Sequence, residues 1–302
     1  MRRAACLFLL FISLSTYSQT RHIITSDSTD LFIEVKGSGT PCLYIHGGPG
    51  SGSYWLEKFF GSFLEKHFQM IYLDQRGTGR SKSPKDMNFS MDRMVEDFEE
   101  VRSALGVKDW IILGHSFGGI LQMGYVHRFP EAIKGMIMVD CSLNMNESLN
   151  DSWIPKACKL LNITDTAPYL DKSISPAKRL EKIIPELQKK DLFWKMAFKR
   201  KESEEKMDRT YSEIPNWNND LSENAMTRAE YFEDYKKFTS DIKTPVLFFY
   251  GTNDWMIGPK HYKGVNFPNM QISKCDGGHI PFLENQKDLE KAISIYLKKY
   301  NF

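Results

Sequence analysis

A serine flanked by glycines is the residue of this sequence best placed to do chemistry. Residues 110–113 are apolar and include two isoleucines, which predicts a buried strand. Gly-His-Ser-Phe-Gly follows at residues 114–118, and the apolar residues after it recur at helical spacing. A Gly-x-Ser-x-Gly turn between a strand and a helix lifts the serine hydroxyl out of the backbone. We therefore expect Ser116 to be a nucleophile.

A serine hydroxyl needs a base to become a good nucleophile, and the base needs an orienting partner. For a turn of this kind the order along the chain is serine, acid and histidine. Asp254 follows a strongly apolar strand, and His279 follows the next predicted strand. Asp140 also ends a predicted strand and is the alternative acid. We expect Asp254 to orient His279, and His279 to act as the base.

A second glycine-rich turn comes after an earlier predicted strand, where residues 46–50 read His-Gly-Gly-Pro-Gly. Acyl transfer needs two donors for its developing oxyanion, and one of them is the amide of the residue after the nucleophile. We expect the amides of Gly48 and Phe117 to form this oxyanion hole. His46 and His115 belong to the two turns and are expected to be structural supports.

Strands and helices alternate through most of the chain, which predicts parallel strands joined by helical crossovers. We expect an α/β fold with a mostly parallel sheet and helices on both faces. Residues 19–141 and 241–302 form the predicted core, and the charged, helix-rich residues 142–240 form a predicted helical cap. Sites in such sheets lie at the carboxyl ends of the strands.

The first residues have the pattern of an export signal. Arg2 and Arg3 precede an apolar run at residues 6–14, and small polar residues follow. This run is shorter than the ~20 residues of a membrane span. We expect residues 1–18 to be a signal peptide and the mature protein to be periplasmic or extracellular, without stable membrane insertion. The pairing of the remaining cysteines is left open; they are Cys42, Cys141, Cys158 and Cys275.

Charge and motif content exclude several classes of partner. The 302 residues carry a formal net charge of +2 without a basic stripe, so we expect no nucleic-acid partner. The sequence has no His-Glu-x-x-His motif, no Walker lysine and no Gly-x-Gly-x-x-Gly turn. We therefore expect no metal and no cofactor. The oligomeric state is left open.

Three motifs together resemble a known family. Residues 46–50, residues 74–81 (Asp-Gln-Arg-Gly-Thr-Gly-Arg-Ser) and residues 114–119 occur in the order and rough spacing of the α/β-hydrolase superfamily, and more closely of its proline iminopeptidase branch. The resemblance covers residues 31–140 and 244–300 and is weak between them. It implies an α/β-hydrolase fold with a helical cap over the site. It also implies release of an N-terminal residue, often proline, from peptides.

The resemblance also has consequences for the cap. In that family, acidic cap residues hold the free amine of the substrate near a Glu-x-x-Tyr-Phe pattern. This sequence has Arg228 at the position of that glutamate, and its Glu230 is shifted. The resemblance implies Glu213 and Glu230 as amine anchors, with Glu223 and Glu233 as further candidates. Cap aromatic residues, among them Trp153, Trp194 and Trp217, are expected to pack against an apolar first residue of the substrate.

Three functional hypotheses follow. The first is a serine aminopeptidase of the proline iminopeptidase type, which acts on short peptides through an acyl-enzyme. The second keeps the same three residues in a carboxylesterase or lipase-like hydrolase of small esters. The third is a non-catalytic binding protein, because a fold does not fix a function. A carboxylate beside Ser116 would favour peptides, whereas an apolar cavity would favour esters.

Overall fold

The computed structural model describes residues 19–302, so the predicted signal peptide at residues 1–18 lies outside the described residues. One sheet organises this part of the chain. Its eight strands are Gln19–Ile24 (β1), Asp30–Gly37 (β2), Thr40–Ile45 (β3), Phe68–Leu73 (β4), Trp110–His115 (β5), Ile133–Val139 (β6), Val246–Gly251 (β7) and Met270–Cys275 (β8).

The spatial order of the strands is β1-β2-β4-β3-β5-β6-β7-β8. β2 is antiparallel to both of its neighbours, β1 and β4. Every pairing from β4 to β8 is parallel. The mostly parallel sheet expected from the sequence is therefore confirmed, and its antiparallel part is confined to the N-terminal edge.

Helices join these strands and make up most of the region between β6 and β7. The α-helices of the described chain are Tyr54–Leu64 (α1), Met91–Ala104 (α2), Gly118–Arg128 (α3), Met145–Glu147 (α4), Ile154–Leu161 (α5), Ala167–Leu170 (α6), Pro176–Lys189 (α7), Trp194–Ala197 (α8), Lys201–Asp208 (α9), Asp220–Ala225 (α10), Pro281–Glu284 (α11) and Gln286–Tyr300 (α12). Several of those between β6 and β7 are only one turn long.

Both faces of the sheet are covered, because successive side chains of a strand point to opposite faces. Leu43, Ile112 and Met136 point to one face and share an apolar cluster with residues of α2 and α3. Leu113 and Ile137 point to the other face and share a cluster with residues of α1 and α12. The predicted α/β class, with helices on both faces, is confirmed.

The stretch predicted as a cap, residues 142–240, holds α4 to α10 and an apolar cluster of its own. Trp153, Ile183, Leu187 and Met196 are buried in that cluster. Met256, from the turn after β7, packs against it. The cap helices therefore rest on the part of the core that follows β7.

The helix lengths and the state of the cysteines can be read directly from the described chain. None of the helices in residues 19–302 is long and apolar enough to cross a bilayer. The cysteines of that range are buried free thiols; they are Cys42, Cys141, Cys158 and Cys275.

A fully buried arginine joins the turn after β4 to helix α2. Arg76 donates through Nε and Nη2 to both carboxylate oxygens of Asp97, at 2.5 and 2.7 Å. Its Nη1 donates to Asp27 at 2.8 Å and to the carbonyl of Asn88 at 3.0 Å. A buried guanidinium is tolerated only when its donors are satisfied in this way. The ion pair therefore fixes the turn at residues 74–81 to the core.

We predict that Asp97→Ala lowers the free energy of unfolding by about 3–5 kcal/mol, because it leaves the Arg76 cation buried without its main partner. The matched control is Asp92→Ala on the same helix, whose side chain is 84% exposed and pairs with Arg128 at the surface. That control is expected to cost less than about 1 kcal/mol. Urea unfolding of both variants measures the difference, and equal losses would contradict the prediction.

Candidate functional site

Ser116 lies on a strained turn between β5 and α3, as its sequence motif predicts. Its φ of 56° is in the left-handed region, which non-glycine residues seldom adopt. The turn is held by its own backbone, since the Ser116 carbonyl accepts hydrogen bonds from the amides of Gly119 and Ser142 at 3.1 and 3.0 Å. At Gly118 a Cβ would lie 2.2 Å from the carbonyl oxygen of Ile45. Only glycine therefore lets α3 begin this close to β3.

Asp254 and His279 form the hydrogen-bonded pair expected from the sequence. The Nδ1–H of His279 donates to Oδ2 of Asp254 at 3.0 Å. The amides of Met256 and Ile257 donate to Oδ1 of Asp254 at 2.9 and 3.1 Å. Because Nδ1 carries the shared proton, Nε2 of the neutral ring is free to accept one.

Electrostatics favours an ionised Asp254 beside this histidine. Both side chains are almost completely buried. Burial by itself would raise the pKa of Asp254, but the attraction of His279 and its hydrogen bond keep that pKa below the ordinary value. A charged carboxylate at this position stabilises the imidazolium that forms when a histidine acts as a base.

His115 connects the serine turn to the histidine. The ring of His115 lies 4.7 Å from the ring of His279, and its Nε2–H donates to the backbone carbonyl of His279 at 2.8 Å. Burial lowers the pKa of His115 to about 3, so this ring stays neutral.

The Ser116 hydroxyl itself makes no hydrogen bond to His279 or to any other residue of the range 19–302. Such bonds are often long in unliganded sites and tighten when substrate binds.

The turn at residues 46–50 lies against the serine. A Cβ on Gly47 would be 2.6 Å from Cβ of Ser116, so only glycine fits there. The amides of Gly48 and Phe117 donate to no other described residue, and both residues line one cavity with Ser116. Two free amides beside a nucleophile are what an oxyanion hole requires.

His46 and Asp74 support this turn from behind. His46 donates from Nδ1 to the carbonyl of Gly47 at 3.0 Å and accepts from the amide of Gln75 at 3.1 Å. Burial lowers the pKa of His46 to about 4. Asp74 is fully buried and accepts from the amide and the hydroxyl of Ser53, and from Nε of Arg80. Asp74 therefore ties the turn at residues 74–81 to the start of α1, and it forms no hydrogen bond with Asp254 or His279 of the described chain.

A cavity of about 250 Å³ opens beside Ser116. Its walls come from the two turns, from the cap and from the segment after β7, and no side chain among them carries a charge. Besides Gly48, Ser116 and Phe117, the lining residues are Ser142, Met145, Ser148, Leu149, Trp153, Leu180, Ile184, Phe193, Met226, Met256 and Ile257. The cavity suits an uncharged, mostly apolar group of a substrate.

Of the cap residues expected to contact substrate, Trp153 lines this cavity, whereas Glu213, Glu230 and Trp217 do not. Glu213 is at the surface, where it pairs with Lys58 and Tyr54. Glu230 is half-buried on a short 3₁₀ segment, away from the cavity. The indole of Trp217 packs against the ring of Trp55 and donates to the carbonyl of Gly50 at 3.2 Å. Trp217 therefore supports the glycine turn from its outer side.

Apart from Trp153, sequence reasoning missed the cap residues that line the cavity, and it missed one contact between two acids. Most of these cap residues lie on one-turn helices and turns, where apolar spacing gives no clear signal; Leu180 and Ile184 lie on the amphipathic helix α7, whose pattern predicts a helix but not what its apolar face covers. Asp140, the alternative acid, lies close enough to the Asp254 carboxyl group for the two to interact electrostatically. The two candidate acids therefore lie side by side. The sequence could have indicated this, because the strands that precede them, β6 and β7, are neighbours in the sheet. No group of three or more potential metal ligands occurs within residues 19–302.

Sequence comparison finds relatives that share part of the chain. A proline iminopeptidase of Neisseria meningitidis is 33% identical over 121 residues, which are 39% of this chain and 38% of that protein. The proline iminopeptidase of Heyndrickxia coagulans is 39% identical over 105 residues, or 34% of this chain and 36% of that protein. A cis-3-alkyl-4-alkyloxetan-2-one decarboxylase of Shewanella oneidensis is 31% identical over 123 residues, or 40% and 38%. The match thus spans under two fifths of the length of these relatives.

Solved structures share the fold along nearly the whole chain. A proline iminopeptidase-related protein of Thermus thermophilus has a TM-score of 0.77 at 22% identity, with 93% of this chain and 98% of that chain covered. An esterase of Exiguobacterium antarcticum has a TM-score of 0.69 at 18% identity, with 93% and 100% covered. At such identities the likeness concerns the fold alone.

The family model described as alpha/beta hydrolase fold matches residues 40–286. The chain therefore belongs to the alpha/beta hydrolase fold family.

Proposed function

We propose that this protein is a serine hydrolase that acts through an acyl-enzyme at Ser116 and takes small substrates with an uncharged, apolar acyl group. The observation that carries this proposal is the uncharged cavity that contains Ser116 together with the free amides of Gly48 and Phe117. The hydrogen-bonded pair of Asp254 and His279 supplies a base whose second ring nitrogen is free.

The proposed reaction uses these groups in a fixed order. Nε2 of His279 takes the proton of the Ser116 hydroxyl while its oxygen attacks the carbonyl carbon of the substrate. The amides of Gly48 and Phe117 donate to the oxyanion that develops, and one such donor contributes roughly 3–4 kcal/mol. His279 then protonates the leaving group. A water molecule, deprotonated by His279, then attacks the acyl carbon; the bond to Ser116 Oγ breaks, the acid leaves, and His279 returns the proton to Oγ.

The charge balance of the cavity favours esters over peptides with a free amine. An N-terminal amine is protonated near neutral pH, and a buried ammonium group without a partner costs several kcal/mol. No carboxylate lines the cavity, and Glu213 and Glu230 lie elsewhere. Neutral acyl groups gain from burial at about 0.8 kcal/mol for each methylene.

A proline iminopeptidase-like aminopeptidase is the second candidate function. The relatives with 33% and 39% identity carry that name, and the glycine turn and serine turn of this chain resemble that family. An acidic anchor would then have to reach the substrate from outside the cavity.

We predict that replacing a charged amine by a methylene in the substrate increases turnover. The matched pair is L-prolyl p-nitroanilide and cyclopentanecarbonyl p-nitroanilide, whose rings have the same size and differ in the amine alone. The neutral compound is expected to have the larger kcat/KM by roughly 100-fold, equivalent to about 3 kcal/mol. p-Nitrophenyl butyrate is expected to be hydrolysed faster than either, because its leaving group departs more easily.

The control for this comparison is Ser116→Ala, which is expected to lower every rate by roughly 10⁴-fold or more. Preference for the prolyl compound would replace the ester proposal with the aminopeptidase. Equal rates for Ser116→Ala and the unmodified protein would leave the non-catalytic binding protein as the remaining hypothesis.

We also predict that the cap side of the cavity sets the length of acyl group accepted. Ile184→Trp fills part of the cavity and is expected to lower kcat/KM for p-nitrophenyl hexanoate by roughly tenfold relative to acetate, the value of about two buried methylenes. The control is Ile295→Trp, the same change at a side chain that is 49% exposed on α12. An unchanged hexanoate-to-acetate ratio in Ile184→Trp would contradict the assignment of the cavity as the acyl site.

A further inference from the structure

Asp140 is a buried carboxyl group that the proposed reaction does not use. It follows β6 directly, is 2% exposed and has a φ of 46°. This left-handed backbone conformation turns the chain at the strand end while the Asp140 amide still donates to the carbonyl of Phe249 in β7 at 2.8 Å. Backbone strain of this kind in a residue other than glycine is concentrated at functional sites.

The Asp140 side chain reaches across to the turn that carries Asp254. Its Oδ1 accepts from the amide of Gly251 at 2.7 Å, and the carbonyl of Gly251 in turn accepts from the amide of Asp254. Its Oδ2 is buried and accepts from no donor in the described chain. The side chain that interacts with Asp140 across this gap is the carboxyl group of Asp254, to which a protonated Oδ2 could donate.

Two touching carboxyl groups in a dry site share one proton, because two negative charges there repel strongly. Asp254 accepts from the amides of Met256 and Ile257 and from the ring of His279. Asp140 accepts from the single amide of Gly251. The negative charge is therefore better stabilised on Asp254, and the proton belongs on Oδ2 of Asp140.

We propose that Asp140 is a positioning residue, which as a neutral acid donates a hydrogen bond to the Asp254 carboxylate and thereby fixes the group that orients His279. This inference rests on the proposed function, since it concerns how the base of that reaction is held. Asp140 touches neither the substrate nor Ser116 in the reaction as proposed, and it acts through Asp254.

The electrostatics of the surroundings agrees with this assignment. Burial, followed by repulsion from Asp254, raises the pKa of Asp140 well above its ordinary value. The other titratable groups facing Asp140 are the thiols of Cys141, its chain neighbour, and of Cys275 at the end of β8. Burial raises the pKa of both thiols, so both stay neutral and leave Asp254 as the charge that Asp140 faces.

Two variants with the same number of side-chain heavy atoms compare a hydrogen-bond donor with an apolar group at this position. Asp140→Asn keeps a donor and tolerates the left-handed backbone, whereas Asp140→Leu has no donor. With p-nitrophenyl butyrate, Asp140→Asn is expected to keep kcat within about threefold, and Asp140→Leu to lose roughly 100-fold in kcat with little change in KM. Similar kcat values for the two variants would overturn the positioning role.

The protonation of Asp140 can be measured from the pH dependence of protein stability, without an enzymatic assay. A carboxyl group whose pKa is raised by folding stabilises the native state fully below its unfolded pKa and loses that contribution as pH rises towards the folded pKa. The unfolding equilibrium constant of the unmodified protein, divided by that of Asp140→Asn, is therefore expected to rise with pH above the unfolded pKa of about 4, by up to about tenfold per pH unit, until the raised pKa of the folded state is passed. Urea unfolding at several pH values measures this ratio.

The two measurements distinguish the inference from the function on which it rests. A ratio that does not change with pH would overturn the neutral Asp140, whatever the enzymatic rates are. Absence of ester turnover in the unmodified protein, with a ratio that still rises with pH, would remove the proposed function and the positioning role, and would leave the shared proton as a structural feature of the acid pair.

Discussion

The parallel alignment of the strands from β4 to β8 is the constraint on which the site depends. Each of these strands ends at the same edge of the sheet, so the turns that follow β3, β5, β6, β7 and β8 meet there. Ser116, Asp140, Asp254 and His279 each follow one of these strands. Residues separated by up to 164 positions, as His115 and His279 are, thus come into hydrogen-bonding contact.

Burial determines the charge state of nearly every group at that edge. His46 and His115 are neutral because burial lowers their pKa values to about 4 and about 3. Asp254 keeps its charge because two amides and His279 replace the lost water. The result is a site in which the Asp254 carboxylate faces His279, while uncharged cap side chains enclose a cavity of about 250 Å³ beside Ser116.

The sequence predicted the core better than the cap for a physical reason. Strand periodicity and the glycines around Ser116 are local signals, and they placed Ser116, Asp254 and His279 at strand ends. These signals favoured Asp254 over Asp140 as the acid, but they did not show that the two carboxyl groups, which follow neighbouring strands, lie side by side. The cap residues depend on distant contacts: the partner of Glu213 is Lys58, 155 positions away, and this pairing holds the glutamate at the surface.

The most direct test of the account is covalent labelling with a fluorophosphonate, followed by intact-mass and peptide mass spectrometry. The account predicts one adduct per chain, located on Ser116, and a labelling rate that falls sharply in His279→Ala. A chain that takes no label, or one labelled on another residue at the same rate in Ser116→Ala, would contradict the claim that Ser116 is a nucleophile activated by the Asp254–His279 pair.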